Sequence, residues 1–309
     1  MYMPHLTLRQ LRFLVALADT LSFSRAAEIC AVTQPTLSTA LAELETRLGM
    51  ALAERPRRSV ILTPLGNEIA ARARGLLLAA QEIEDLARAQ AAPEGGDLRF
   101  GAIPTIGPYL IPRALPGLRA RFPDLRLFLR EEMTESLIAG LTAGRLDLIL
   151  FALPFEAEGI EVMDLFDDGY HLAAPPGTLG AGAVRAEALE GARLMLLERG
   201  HCLQRHALSA FPDRDIAQDD SFAATSLPTL IAMVGEGLGI TLLPDLAIAA
   251  GVATGAEIDT APLPEACPRR VVLGWRKTSA KAPLYRRIGA ELIAARGAMA
   301  RTGGAAQDL

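Results

Sequence analysis

Lysine is almost missing from this chain: only Lys277 and Lys281 occur in 309 residues. Nearly all the positive charge is therefore arginine, whose planar fork suits phosphate and carboxylate better than a compact ammonium does. Cysteine is as scarce, at Cys30, Cys202 and Cys267, and an odd, sparse set of three argues against a disulfide framework. Four histidines accompany them without metal-ligand spacing, so no metal and no cofactor are expected. No apolar run reaches the ~18 residues that span a bilayer. The stretch 227–250 comes nearest, and Pro228, Glu236, Pro244 and three glycines interrupt it. The first residues lack the basic-then-apolar pattern of a secretion signal, so a cytoplasmic protein with no membrane partner is expected.

Half of the sequence is apolar, and 309 residues suffice for two or three domains with cores of their own. The net charge of −5 is the wrong sign for a nucleic-acid binder, but it is unevenly spread. Residues 1–90 hold ten arginines against nine acids, about +1, which leaves about −6 for the remainder. The arginines able to gather on one surface there are Arg55, Arg57 and Arg58, and pairing of two copies would double them.

Those arginines follow the most ordered pattern in the chain. Leu8, Leu11, Leu14, Val15 and Leu17 repeat at helical spacing. A short helix over Ser24–Cys30, a tight turn at Ala31–Thr33 and a longer helix from Gln34 to about Leu48 come next. Thr33 suits the cap of that last helix, and Pro35 fits only its first turn. Ala26, Ala27 and Cys30 are small enough for close crossing, and two helices joined by a three-residue turn make a helix-turn-helix. Gln34, Thr36, Ser38 and Thr39 place short hydrogen-bonding side chains where a recognition helix meets base edges. Glu54–Ser59 followed by Val60–Thr63 reads as a two-stranded wing with an arginine-rich tip. The plainer alternative is a small helical bundle with a solvated basic loop.

This segment resembles the winged helix of the LysR-type transcriptional regulators, continuously over about sixty residues. The matching positions are Phe13, Ser22, Phe23, Ala26, Ala27, Gln34, Pro35, Leu37, Ser38, Leu44, Glu45, Leu48, Gly49, Leu52, Arg55, Thr63 and Gly66. The resemblance implies double-stranded promoter DNA and RNA polymerase as partners, with DNA contacts from Gln34, Pro35, Thr36, Ser38, Arg55, Arg57 and Arg58.

After the wing, Pro64–Ala92 reads as one long helix. Ile69, Ala73, Leu76, Ala80, Ile83 and Ala87 recur at alternating spacings of four and three, a coiled-coil seam. The same pattern also suits a helix packed on its own domain; the resemblance favours dimerisation. Pro93–Gly96 ends it. From Asp97 the period changes to β-α-β-α-β: strands at 98–103, 125–130 and 147–151, helices at about 106–121 and around 136–142. That rhythm predicts a parallel sheet. A second such set is expected from strand 194–197, helices 203–211 and 226–235, strand 239–243 and a short helix after Pro244. Strand 271–275 can return the chain to the first set, and 283–297 reads as a closing helix. A cleft between the two lobes is the expected ligand site.

Gly200-His201-Cys202-Leu203 is the sharpest local signal in this half. Cys202 follows a buried strand and opens a helix, and a helix N-terminus favours the thiolate. Arg199, His201, Arg205 and His206 could add positive charge. A small buried hydrophobe at a helix start is the inert alternative. Residues 99–151 and 192–244 are similar to the OxyR branch of the LysR family, the hydrogen-peroxide sensors, through Ile103–Leu110, Leu194–Leu203, Ala224–Leu227 and Gly239–Pro244. The resemblance implies a peroxidatic role for Cys202 beside His201, with Thr105 and Thr134 orienting peroxide. It sets Thr105, Thr134, Cys202, Thr225 and Ser226 in the effector cleft. Two positions depart from that family: its usual resolving cysteine is Phe211 here, and a frequent histidine is Ser221. Cys202 could then stop at sulfenic acid, pair with Cys267, or be capped by a small thiol. Cys30 reads as core packing.

The expected fold is α plus α/β: a winged helix-turn-helix (1–64), a linker and dimerisation helix (65–92), and a two-lobed effector domain like the periplasmic binding proteins. The first lobe is expected at 97–168 and 276–300, the second at 169–275, and a disordered tail at 301–309. The expected function is a homodimeric or homotetrameric transcription activator sensing hydrogen peroxide through Cys202. A LysR-type regulator of a small metabolite or anion is the alternative. A thiol peroxidase-like enzyme is disfavoured, because no second catalytic group accompanies Cys202 and the helix-turn-helix would be unexplained.

Overall fold

The computed structural model describes residues 6–54, 60–91, 93–155, 158–180, 182–185, 189, 191, 193–198, 202–211, 217–219, 221 and 224–305. Residues 88, 89, 91, 193, 202, 208, 209, 217 and 302–305 are described by backbone alone. The chain forms two units, 1–90 and 91–309.

The first unit begins with helices α1 (Leu8–Thr20), α2 (Phe23–Ile29) and α3 (Gln34–Leu48). Each has a hydroxyl cap: Thr7, Ser22 and Thr33 accept from the backbone N–H three residues on, satisfying a donor that the helix itself leaves open. Phe13, Leu14 and Leu17 meet Ala26, Leu37, Leu41 and Leu44 in one core. Between α2 and α3, Ala31 takes a left-handed φ of 54°, which turns the chain in the space of three residues. Strands β1 (Ala53–Glu54) and β2 (Ile61–Leu62) pair antiparallel as the stem of the wing. The Glu45 carboxylate accepts from the N–H groups of Leu52 and Ala53 at 2.8 and 3.1 Å, fixing the wing to α3. A Cβ at Gly66 would lie 2.0 Å from the Leu52 carbonyl oxygen, so only glycine fits where helix α4 (Pro64–Ala91) meets that stem. Along α4, Ala73 is buried, whereas Leu76, Ile83 and Leu86 are 54 %, 71 % and 55 % exposed.

The second unit opens with β3 (Gly96–Ala102), α5 (Gly107–Arg121), β4 (Leu125–Glu131), α6 (Thr134–Thr142) and β5 (Leu148–Leu153). These are the expected parallel strands, in the order β4-β3-β5. Strand β6 (Ile160–Asp168) then runs through Gly169 into β7 (Tyr170–Ala174), which starts the second sheet. Further on come β8 (Arg193–Leu194), α7 (Cys202–Ser209), β9 (Ala217–Gln218), α8 (Leu227–Gly235), β10 (Thr241–Pro244), α9 (Asp245–Ala249) and β11 (Asp259–Pro262). The chain ends with β12 (Arg269–Arg276) and α10 (Ala282–Ala305).

Three expectations change. The second lobe is not a wholly parallel set: β10 and β11 both pair antiparallel with β7, while β8 pairs parallel with β9 and the bridges Leu194–Ile240 and Leu197–Ala224 are parallel, as expected. Strand β7 arrives directly from β6, with no crossover helix to set it parallel. Strand β12 completes the first sheet between β5 and β6, so residues 269–275 belong to the first lobe and not to the second. Residues 301–305 continue α10 where a disordered tail was expected, there being no proline to stop the helix. Each lobe has its own core, and Tyr109 packs against both. Among the described residues no helix is long and apolar enough to cross a membrane.

Candidate functional site

Two faces carry chemistry. On the first unit, α3 presents Gln34, Pro35 and Thr36 exposed and Ser38 half-buried at its N-terminal end, with Leu37 turned into the core. The Ser24 hydroxyl donates to Gln34 Oε1 at 2.9 Å, tying the recognition helix to α2. Arg55, Arg57 and Arg58 lie outside the described residues. Cys30 closes α2 as a buried side chain; burial pushes its thiol pKa up, and Arg12 opposes this.

The second face lies at the carboxyl ends of β3 and β4, where open α/β sheets take ligands. In that parallel pair Ala102 is opposite Glu131. Thr105 and Thr134 therefore stand at equivalent positions, three residues past the end of adjacent strands. Both are buried, and each lies at the start of a helix that has no side-chain cap. Their hydroxyls differ. Thr105 Oγ1 accepts from Arg269 Nη1 at 2.8 Å, while its carbonyl accepts from Nη2 at 3.0 Å. A guanidinium only donates, so the Thr105 hydroxyl must aim its own hydrogen elsewhere. Thr134 Oγ1 is buried with no hydrogen-bond partner, an arrangement that costs about 1–3 kcal/mol unless a ligand completes it.

Arg269 is held in turn by Asp168. Its Nε and Nη2 donate to Asp168 Oδ2 at 3.0 and 2.8 Å, and both side chains are 0 % exposed. The other carboxylate oxygen accepts from the Leu246 N–H at 2.7 Å. Neither residue stands out in the sequence. They are 101 positions apart, at the end of one strand and the start of another, and only the pairing of β6 with β12 brings them together.

Cys202 is the first residue of α7, as expected, and is described by its backbone; His201 and Arg199 lie outside the described residues. Four residues on, and so on the same face of the helix, His206 is buried. Its pKa is pushed down from 6.5 to about 4, first by burial, then by the charges of Arg269 and Arg205. The imidazole is thus neutral at neutral pH, contrary to the expected positive charge. Arg205 supplies charge at the rim: its Nη2 lies 3.8 Å from Glu135 Oε1 on α6, and its guanidinium sits 5.7 Å from the centre of the Phe155 ring. So α7 reaches the helix that begins with Thr134. Thr225 is exposed, and the Ser226 hydroxyl caps α8 by accepting from the Thr229 N–H at 3.3 Å. Phe211 is 4 % exposed, as part of the second core. Cys267 is exposed, and its N–H donates to the Ala210 carbonyl at 2.9 Å. Among the described residues no group of His, Cys, Asp and Glu could hold a metal ion.

Removing one partner of a fully buried ion pair strands the other charge. Arg269→Met should therefore cost about 3–5 kcal/mol of stability in urea unfolding, and Asp168→Asn on that background should recover part of it. A loss below about 1 kcal/mol, the ceiling for most exposed pairs, would show that the buried pair does not stabilise the fold.

The LysR substrate binding domain matches residues 91–296, and the helix-turn-helix of the bacterial regulatory proteins of the lysR family matches residues 8–67. The HTH-type transcriptional regulator EstR of Acinetobacter baylyi is 44 % identical over 243 residues, 78 % of this chain and 81 % of that protein. A probable hydrogen peroxide-inducible genes activator of Streptomyces viridosporus is 38 % identical over 296 residues, 93 % of each chain. Full-length OxyR of Pseudomonas aeruginosa, solved as a Cys-to-Asp variant, superposes with a TM-score of 0.77 at 34 % identity, covering 94 % of this chain and 95 % of that one. The chain belongs to the LysR family of DNA-binding transcriptional regulators and is OxyR-like within it.

Proposed function

We propose that this regulator senses hydrogen peroxide by oxidation of Cys202. The observation that carries the reading is the pair of buried hydroxyls at the ends of β3 and β4. Thr105 must donate away from Arg269, and Thr134 has no partner. A molecule of two oxygens, each both donor and acceptor, suits that pair. Cys202 opens the helix whose Arg205 reaches the residue after Thr134, so the helix that carries the cysteine belongs to the facing lobe. The thiolate attacks one peroxide oxygen; the S–O bond forms, the O–O bond breaks, and the departing hydroxide leaves as water after taking a proton. The helix N-terminus favours the thiolate. The Streptomyces relative, named for peroxide induction, supports this reading.

A small metabolite or anion is the second reading. Phe211 favours it, because no thiol stands at the position where the OxyR branch usually carries its resolving cysteine. So does the regulator at 44 % identity, which is not named for peroxide. The deciding experiment is a DNA footprint of the full protein with and without peroxide. Cys202→Ser should abolish the peroxide-dependent change and leave resting binding intact. A footprint that still responds in this variant would transfer the sensor role to another residue or ligand.

On the DNA side, Gln34, Pro35, Thr36 and Ser38 are read as facing bases, and Arg55, Arg57 and Arg58 as facing phosphate. Arg57→Ala should weaken specific and random DNA alike and lower the salt slope by about one. An unchanged slope would place Arg57 off the DNA.

The exposed Leu76, Ile83 and Leu86 on α4 are read as the seam covered by a second copy. Carrying Leu76→Glu and Ile83→Glu together, the protein should sediment as a smaller species and lose DNA affinity. Unchanged mass would place the interface elsewhere.

A further inference from the structure

We infer that Cys267 is the resolving thiol for oxidised Cys202, a pairing that rests on the peroxide reading above. Three observations converge on it. Phe211, which follows α7, is a buried plug of the second core and offers no thiol. The residue before it, Ala210, accepts a hydrogen bond from the Cys267 N–H at 2.9 Å, so the loop between β11 and β12 is stitched to the end of the helix that Cys202 begins. Of the two other cysteines, Cys30 is buried in the other unit, whereas Cys267 is an exposed free thiol in the same unit as Cys202.

The step balances. Peroxide has oxidised Cys202 to sulfenic acid and itself become water. The Cys267 thiolate attacks the Cys202 sulfur; the S–S bond forms, the S–OH bond breaks, and the hydroxide leaves as water with the proton that the Cys267 thiol gave up. In sum, two thiols and one peroxide give one disulfide and two waters.

Distance sets the consequence. Cys202 begins the eight-residue α7, and Cys267 is tied to the residue after its end. At about 1.5 Å per residue the two ends lie about 12 Å apart, while a disulfide needs its Cα atoms within about 7 Å. The pairing therefore requires the start of α7 to unwind toward its own C-terminus. A helix this short has little stability of its own. Phe211 and the bond from Cys267 hold the far end, so the near end is the part that moves, drawing the buried Leu203 out of the second core. The contacts that must break include those of Arg205 with Glu135 and Phe155 on the other lobe. Disulfide formation thereby loosens the hold of the redox helix on the first lobe.

The test is peptide mapping of the full-length protein, reduced, treated with stoichiometric hydrogen peroxide in the presence of dimedone, and digested without reductant. The wild type should yield a peptide linking Cys202 to Cys267, about 2 Da below the sum of the two thiol peptides. Cys267→Ser, a change at an exposed side chain, should instead trap Cys202 as the dimedone adduct. Equal dimedone capture in both proteins, with Cys267 still alkylatable in the wild type, overturns the pairing and leaves the peroxide reading standing. So does a link between two copies through Cys202 alone. Cys202 unmodified in both proteins overturns the peroxide reading itself, and the pairing with it.

Discussion

The second unit depends on one buried ion pair. Asp168 is the last residue of β6, where the chain leaves the first sheet, and Arg269 is the first residue of β12, where it returns. Removing two charges from water costs several kcal/mol per ion, and the pair is tolerable only when its remaining hydrogen bonds are made. They are made by the start of α9 and by Thr105. The crossing point, the start of α9 and Thr105 are thereby joined through the pair.

The candidate site is consequently set by two paired strands on one side and by the short helix α7 on the other. Thr105 and Thr134 follow two paired strands, whose register fixes them side by side. Helix α7 is held to its own lobe by Leu203, Ala207 and Phe211, and to the facing lobe through Arg205. His206 stays neutral beneath it, so the positive charge near the recess is fixed arginine and not a proton that comes and goes near neutral pH. On the proposed reading, chemistry at the first residue of α7 acts on the element that Arg205 ties to the facing lobe.

The DNA-binding unit solves a different problem with little charge. Its net charge is close to zero, so attraction to phosphate must come from where the arginines sit. The Glu45 carboxylate anchors the wing stem to α3, and the close approach at Gly66 sets where α4 departs. The wing stem, α3 and α4 are thus braced against one another by the Glu45 carboxylate and by the close packing at Gly66.

Much of this architecture was legible in the residues. Helical spacing, the Thr33 cap and Pro35 placed α1 to α3, and the change of period after Asp97 placed β3 to β5, because local hydrogen bonding and burial leave signatures at short range. The helix start at Cys202 was legible too, whereas Thr105 and Thr134 were singled out by the resemblance to the OxyR branch. Strands β6, β7 and β11 were not legible; the return of 271–275 to the first set was expected, but not the place of β12 between β5 and β6, because the partners lie far along the chain and pairing at such separation leaves no periodic trace. The same reason hid Asp168 and Arg269, and it hid the neutrality of His206, which follows from what surrounds it. The sequence by itself determined the local elements and the chemical types at their ends. Only the tertiary structure decided which ends meet, because a buried charge is stable solely beside the distant partner that the fold delivers.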